Sequence, residues 1–139
     1  SHPKDASQEL FKAMRDLRSL SKNLHLPIQS GSDKILKRMN RKYTAAKYKK
    51  LVKDFRQIVK NGSVTSDIIV GFPGETEKDF KDTLNIIKEL RFDGAYIFKY
   101  SPRPFTGASF FKDDVPLEEK ERRHALLLEV QRKISSGTK

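Results

Sequence analysis

Ser63-Val64-Thr65-Ser66-Asp67-Ile68-Ile69-Val70 runs directly into Gly71-Phe72-Pro73-Gly74-Glu75-Thr76. The first stretch is the clearest strand in the chain. It closes on an apolar run, Ile68-Ile69-Val70, the pattern of a strand covered on both faces. Gly71 to Gly74 form a tight loop. Thr76 then opens a helix, with Asp79 three residues on in a capping-box-like arrangement. Phe80, Leu84, Ile86, Ile87 and Leu90 make the inward face of that helix.

Working outward, the same alternation recurs. Upstream, Ser7 to Leu20 reads as a helix with Leu10, Phe11, Met14 and Leu17 at helical spacing. Leu24 to Ile28 is a short strand, ended near Pro27 by the polar turn Gln29-Ser30-Gly31-Ser32. Ser32 can cap a short helix carrying Ile35, Leu36 and Met39. Thr44 caps the next helix, whose apolar face is Tyr48, Leu51, Val52, Phe55, Ile58 and Val59, with a stop at Asn61-Gly62. Downstream, Gly94 to Tyr100 is a third strand. A loop rich in Pro, Arg and Phe follows, and then a helix from Pro116 with Glu118 and Glu119 in its first turn. Leu126, Leu127, Val130 and Ile134 run along it. Strands alternating with long amphipathic helices predict a parallel α/β layer.

The chain has 139 residues, enough for one domain or part of one, and shows no internal linker, short repeat or low-complexity tract. Its formal net charge of +11 points to an anionic partner, of which nucleic acid is the commonest large one, or to a well-solvated surface. There is no cysteine, so this chain holds neither a disulfide nor a thiolate-bound metal or cluster. No apolar run approaches the length of a membrane helix and no signal-peptide pattern opens the sequence, so the expected location is the cytoplasm.

In parallel α/β folds ligands collect beyond the C-terminal ends of the strands. The first such end carries Gln29, whose amide can donate and accept toward a ribose hydroxyl or amino-acid group; ordinary turn chemistry is the alternative. The second carries Asp67, a carboxylate in an apolar strand that must be paired or hydrogen-bonded, to a ligand or to a neighbouring residue. Gly71 and Gly74 let the backbone approach a ligand. Their loop has no phosphate-loop lysine and no dinucleotide fingerprint. The third carries Phe98-Lys99-Tyr100-Ser101-Pro102-Arg103-Pro104-Phe105. Alternation puts Lys99 opposite Phe98 and Tyr100, so one set or the other faces the interior. Arg103 can pair with a phosphate or stack on a base, and Tyr100 and Phe105 offer stacking surfaces, unless the aromatics simply pack. A dense basic stretch, Lys34, Lys37, Arg38, Arg41, Lys42, Lys47, Lys49, Lys50, Lys53 and Arg56, either tracks a phosphate backbone or is the solvated outside of two helices. His2, His25 and His124 have no paired-ligand spacing.

Three segments carry a family resemblance. His25-Leu26-Pro27-Ile28-Gln29-Ser30-Gly31-Ser32-Asp33, Ile35-Leu36-Lys37-Arg38-Met39-Asn40-Arg41-Lys42-Tyr43-Thr44 and Asp67 to Thr76 resemble the radical-SAM methylthiotransferases, and the likeness extends over nearly the whole chain. Phe98 to Pro104 is most like the branch that methylthiolates isopentenyladenosine beside the tRNA anticodon. The branch acting on threonylcarbamoyladenosine is the nearest alternative. Phe105 stands where the family usually has Gly.

The resemblance implies a partial (β/α) barrel: the C-terminal half of a radical-SAM, TIM-like domain with about three parallel strands. The cluster-binding parts would lie upstream and an RNA-binding β-domain downstream. It implies S-adenosylmethionine and 4Fe-4S clusters as cofactors and tRNA as substrate, with no activity in this stretch alone. It places Gln29, Arg41 and Asp67 at the cofactor, where Ser30 beside Gln29 is also expected, and the chemistry of the third strand end makes Lys99 and Arg103 the expected substrate contacts. An isolated basic RNA-binding scaffold is the other reading. An incomplete barrel leaves strand edges unpaired, so self-association of this chain is expected; a strict monomer at high concentration would contradict it.

Overall fold

The computed structural model describes residues 6–17, 20–102 and 111–138. Helix α1 (Gln8–Asp16) begins where the Ser7 side chain accepts the Leu10 N–H. It ends sooner than its apolar spacing suggests: Leu17 is already extended and half-exposed. Strand β1 (Asn23–His25) follows, then α2 (Asp33–Arg38) capped by Ser32 and α3 (Ala45–Ile58) capped by Thr44. Strand β2 (Ser63–Val70) leads through the Gly71–Gly74 loop into α4 (Glu77–Leu90). Strand β3 (Gly94–Lys99) and α5 (Leu117–Lys133) complete the order, and α5 runs into a wide final turn at Ile134–Thr138.

The strands form one open parallel sheet in the order β1-β2-β3, as the alternation predicts. The regular β1 ladder is shorter than expected and the reason is local. Pro27 has no N–H to donate. At that point the Ser66 hydroxyl takes over, accepting the Ile28 N–H (3.0 Å) and donating to the Leu26 carbonyl (3.1 Å). The chain rejoins β2 at Gln29, whose N–H donates to the Asp67 carbonyl and whose own carbonyl accepts the Ile69 N–H, both at 2.9 Å.

The expectation that β2 is covered on both faces is wrong. Burial alternates along it. Val64, Ser66, Ile68 and Val70 are buried beneath the helices, where they meet Leu24, Leu26, Ile28, Tyr48, Val52, Phe55, Phe80, Ile87 and Leu127. Each fully buried Leu, Ile or Phe side chain of this kind contributes about 1.5–3 kcal/mol. Thr65, Asp67 and Ile69 lie on the opposite face, only half-buried, in register with Gly94, Tyr96 and Phe98. Tyr96 is 63% and Phe98 54% exposed on that face. A run of apolar letters here marks one covered face plus an apolar site wall.

Helix α5 also differs from its leucine spacing. Leu126 and Leu128 are exposed, and the buried stripe is Lys120, Arg123, Leu127, Gln131 and Ile134. Two cations on that stripe anchor the loops beyond the strand ends.

Candidate functional site

Those loops frame a cleft of about 1040 Å³. From the end of β1 comes Gln29, from α2 and the turn after it Lys37 to Arg41, from β2 and its loop Asp67, Ile69 and Phe72, and from the end of β3 Phe98, Lys99, Tyr100 and Ser101. Phe111 completes the wall, stacked edge-on with Phe72 (6.3 Å between centroids) and covered by the Arg38 guanidinium (4.3 Å).

Local structure explains how each group arrives. Gln29 has φ 73°, a left-handed backbone that non-glycine residues occupy at a cost of order 1–3 kcal/mol. It is held there by the flanking ladder bonds to Asp67 and Ile69. Asn40 turns the chain with φ 61°, and Arg41 follows with its N–H donating to the Leu36 carbonyl. The Arg41 Nε is buried and has no hydrogen-bond partner among the described residues, and Arg41 lines the cleft. Asp67 is met by His25: Nε2 lies 3.2 Å from Oδ2, while Nδ1 lies 2.8 Å from the Thr65 hydroxyl.

The second loop is fixed from below. The buried Glu75 side chain accepts the Gly71 N–H (2.8 Å) and the Arg123 guanidinium (2.8 Å), and Arg123 also donates to the Glu75 carbonyl. Burial pushes the Glu75 carboxyl above its ordinary value, against the opposing pull of Gly71 and Arg123. Asp79 is equally enclosed. Burial opposes its ionisation, but bonds from Lys34, the Thr76 N–H, Ser32 and the Thr76 hydroxyl outweigh that and hold the carboxyl at about 2. Gly71 (φ 76°) carries the stem of Lys120 against its Cα and Gly74 (φ 87°) the Arg38 guanidinium, so both need the absent side chain.

Gln29, Arg41, Asp67 and Lys99 thus meet at one cleft. Ser30 does not line it. Its hydroxyl is fully buried, accepting the Ser32 N–H (3.1 Å) and facing the Thr83 hydroxyl (3.4 Å), so its part is to hold the turn. Arg103 and Phe105 lie outside the described residues. The aromatic set, not Lys99, shares the face of Asp67; Lys99 reaches the cleft because it ends the strand.

The basic stretch divides in two. On α3, Lys49 and Lys53 pair with Glu89, Lys50 pairs with Asp54, and Arg56 caps the Leu90 and Arg91 carbonyls. Lys37, Arg41 and Lys99, at the cleft, have no ion pair among the described residues. Spacing did not reveal the Glu75–Arg123 pair or the His25–Asp67 contact. The available signals were charged residues on an apolar helical stripe and polar residues alternating along two paired strands.

Fold and site define the class: a parallel α/β sheet whose strand-end loops enclose a cationic, aromatic-walled ligand cleft. The chain belongs to the radical SAM superfamily, whose family description matches residues 2–87. It is 55% identical over 135 residues to a tRNA-2-methylthio-N(6)-dimethylallyladenosine synthase of Endomicrobium trichonymphae, covering 97% of this chain and 32% of that protein. It is 53% identical to the synthase of the same name from Acetivibrio thermocellus, covering 28% of it. The chain therefore spans about a third of the length of these curated relatives. The Escherichia coli coproporphyrinogen III oxidase, a radical SAM enzyme, superposes with a TM-score of 0.75 at 23% identity, over 98% of this chain and 31% of that one. That likeness supports the partial-barrel fold.

Proposed function

We propose that this chain is the S-adenosylmethionine-cradling part of a cytoplasmic enzyme that methylthiolates dimethylallyladenosine (isopentenyladenosine) in tRNA. The observation that carries the reading is convergence: Gln29, Arg41 and Asp67, from three separate segments, line one cleft. The donor set suits the cofactor. Arg41 has a buried donor, unpartnered among the described residues, for a carboxylate, Gln29 an amide for ribose hydroxyls, and Asp67 an acceptor for a hydroxyl or ammonium group. Bound there, S-adenosylmethionine would supply the methyl group and the radical chemistry of the reaction. Iron-sulfur clusters do not fit this chain: it has no cysteine, and no metal-holding group occurs among the described residues.

The remaining wall suits an adenosine drawn out of an RNA loop. Phe98 and Tyr100 present ring surface, and Ile69 and Phe72 exclude water. Lys99, and Arg103 four residues on in the sequence, would hold the flanking phosphates. The names of the relatives favour the dimethylallyl substrate over threonylcarbamoyladenosine.

Calorimetry on the full-length, cluster-loaded enzyme tests this. Arg41→Met should weaken S-adenosylmethionine binding about tenfold or more, the scale of a lost charge-assisted bond. Lys99→Ala should weaken tRNA binding and reduce its salt slope by about one. Unchanged cofactor affinity in both Arg41→Met and Gln29→Ala, beside intact salt-sensitive tRNA binding, would leave only a basic RNA scaffold.

A further inference from the structure

The half-buried face of the sheet, opposite the helices, carries a polar chain of which only Asp67 lines the cleft. His25 and Thr65 are register partners on β1 and β2, and Asp67 lies two residues further along the same face. The His25 ring is fixed from three sides: Nδ1 is 2.8 Å from the Thr65 hydroxyl, Nε2 is 3.2 Å from Asp67 Oδ2, and Tyr96 stacks edge-on at 6.1 Å. Asp67 lines the cleft, whereas His25 stands behind it and does not.

The chemistry fixes the direction of the contacts. A carboxylate only accepts, so Nε2 carries the hydrogen toward Oδ2. In the neutral ring Nδ1 is then the acceptor and the Thr65 hydroxyl its donor, which selects this tautomer over the other. The second oxygen of Asp67, Oδ1, has no protein partner among the described residues.

We propose that His25 is a positioning residue: it clamps Asp67 through Oδ2, with Thr65 setting the tautomer, so that Oδ1 is presented to a hydroxyl or amino group of the ligand in the cleft. This rests on the reading of Asp67 as a cofactor contact. A structural contact would hold β1 to β2 and leave ligand affinity alone. A positioning contact acts on affinity through Asp67, and a neutral donor in place of the imidazole preserves part of it.

The test is S-adenosylmethionine affinity and thermal midpoint of the full-length, cluster-loaded enzyme for His25→Ala, His25→Gln, Asp67→Ala and the double variant His25→Ala/Asp67→Ala, since Asp67→Asn would keep an acceptor for His25. His25→Ala should weaken binding about three- to tenfold, the scale of one ordered hydrogen bond. His25→Gln should recover part of that loss. In the Asp67→Ala background, His25→Ala should add nothing, because neighbours acting through one contact are not additive. Equal affinity losses for His25→Ala with and without Asp67→Ala would overturn the proposal, as would a lowered midpoint with unchanged affinity. If Asp67→Ala alone leaves affinity unchanged, the cofactor reading of Asp67 falls and the proposal with it; if Asp67→Ala weakens binding and His25→Ala does not, only the positioning role falls.

Discussion

Replacing Asp79 by Asn removes one charge from the point where two strand-end loops meet, and the loss can be worked out. The carboxylate accepts the Thr76 N–H (2.8 Å) and hydroxyl (3.0 Å), the Ser32 hydroxyl (2.8 Å) and the Lys34 ammonium (2.9 Å). It caps α4 and, through Ser32, ties α2 to it. Its pKa falls from an ordinary 3.8 to about 2. That fall of a little under two pH units, at about 1.4 kcal/mol per pH unit, gives about 2.5 kcal/mol. The Lys34 side chain is 53% exposed, so solvent screening reduces this to about 1.5–2 kcal/mol. A depressed carboxyl stabilises the fold above its unfolded pKa and loses that contribution as pH falls through the folded one. Asp79→Asn should therefore be less stable by about 1.5–2 kcal/mol at pH 7 by urea titration. The deficit should shrink as pH drops from about 4 toward about 2. A deficit independent of pH would refute the electrostatic account.

Three other substitutions probe the same loops. Glu75→Gln removes a carboxyl whose pKa burial raises, so the sign reverses: wild type should lose stability relative to Glu75→Gln as pH rises above the ordinary Glu value toward the raised one. A constant difference across that window in matched urea titrations would contradict it. Arg123→Ala, by contrast, strands a buried carboxylate and should cost about 3–5 kcal/mol, read from the same titrations. Gly31→Ala places a Cβ 2.6 Å from the Asp82 carbonyl oxygen and the Thr83 Cα, backbone that cannot yield cheaply. A loss of about 1–3 kcal/mol is expected. Gly94→Ala, whose nearest neighbour is 3.5 Å away, serves as the tolerated control.

The parallel order of the sheet was legible because strand, tight loop and capped helix repeat along the chain. The Thr76–Asp79 capping box was legible for the same reason: both partners lie within one helical turn. What composition hid was which face each residue serves. Ile68-Ile69-Val70 reads as a buried run, yet Ile69 lines the cleft while its two neighbours are core. Leu126 has the letter of a core residue and is exposed, because α5 turns Lys120 and Arg123 inward to meet the loops. Long-range partners such as Glu75 and Arg123, 48 residues apart, leave no local periodicity to detect.

The signature segments are long because each performs two tasks on opposite sides of one backbone. In Gln29-Ser30-Gly31-Ser32, Gln29 faces the cleft. The other three anchor the turn: Ser30 faces Thr83, Gly31 donates its N–H to the Thr83 hydroxyl (2.8 Å) and Ser32 donates to Asp79 (2.8 Å). In the loop after β2, Phe72 faces the cleft while Glu75 is locked to Arg123 beneath it. Asp79 and Thr83, one helical turn apart on α4, therefore brace the β1 turn from below, and α5 braces the β2 loop. Gln29 is held in its left-handed conformation at the cleft by backbone bonds to Asp67 and Ile69. It follows that substitutions at Ser30, Thr83 or Arg123 should impair the cleft as surely as substitutions within it, and through loop geometry, although none of the three lines it.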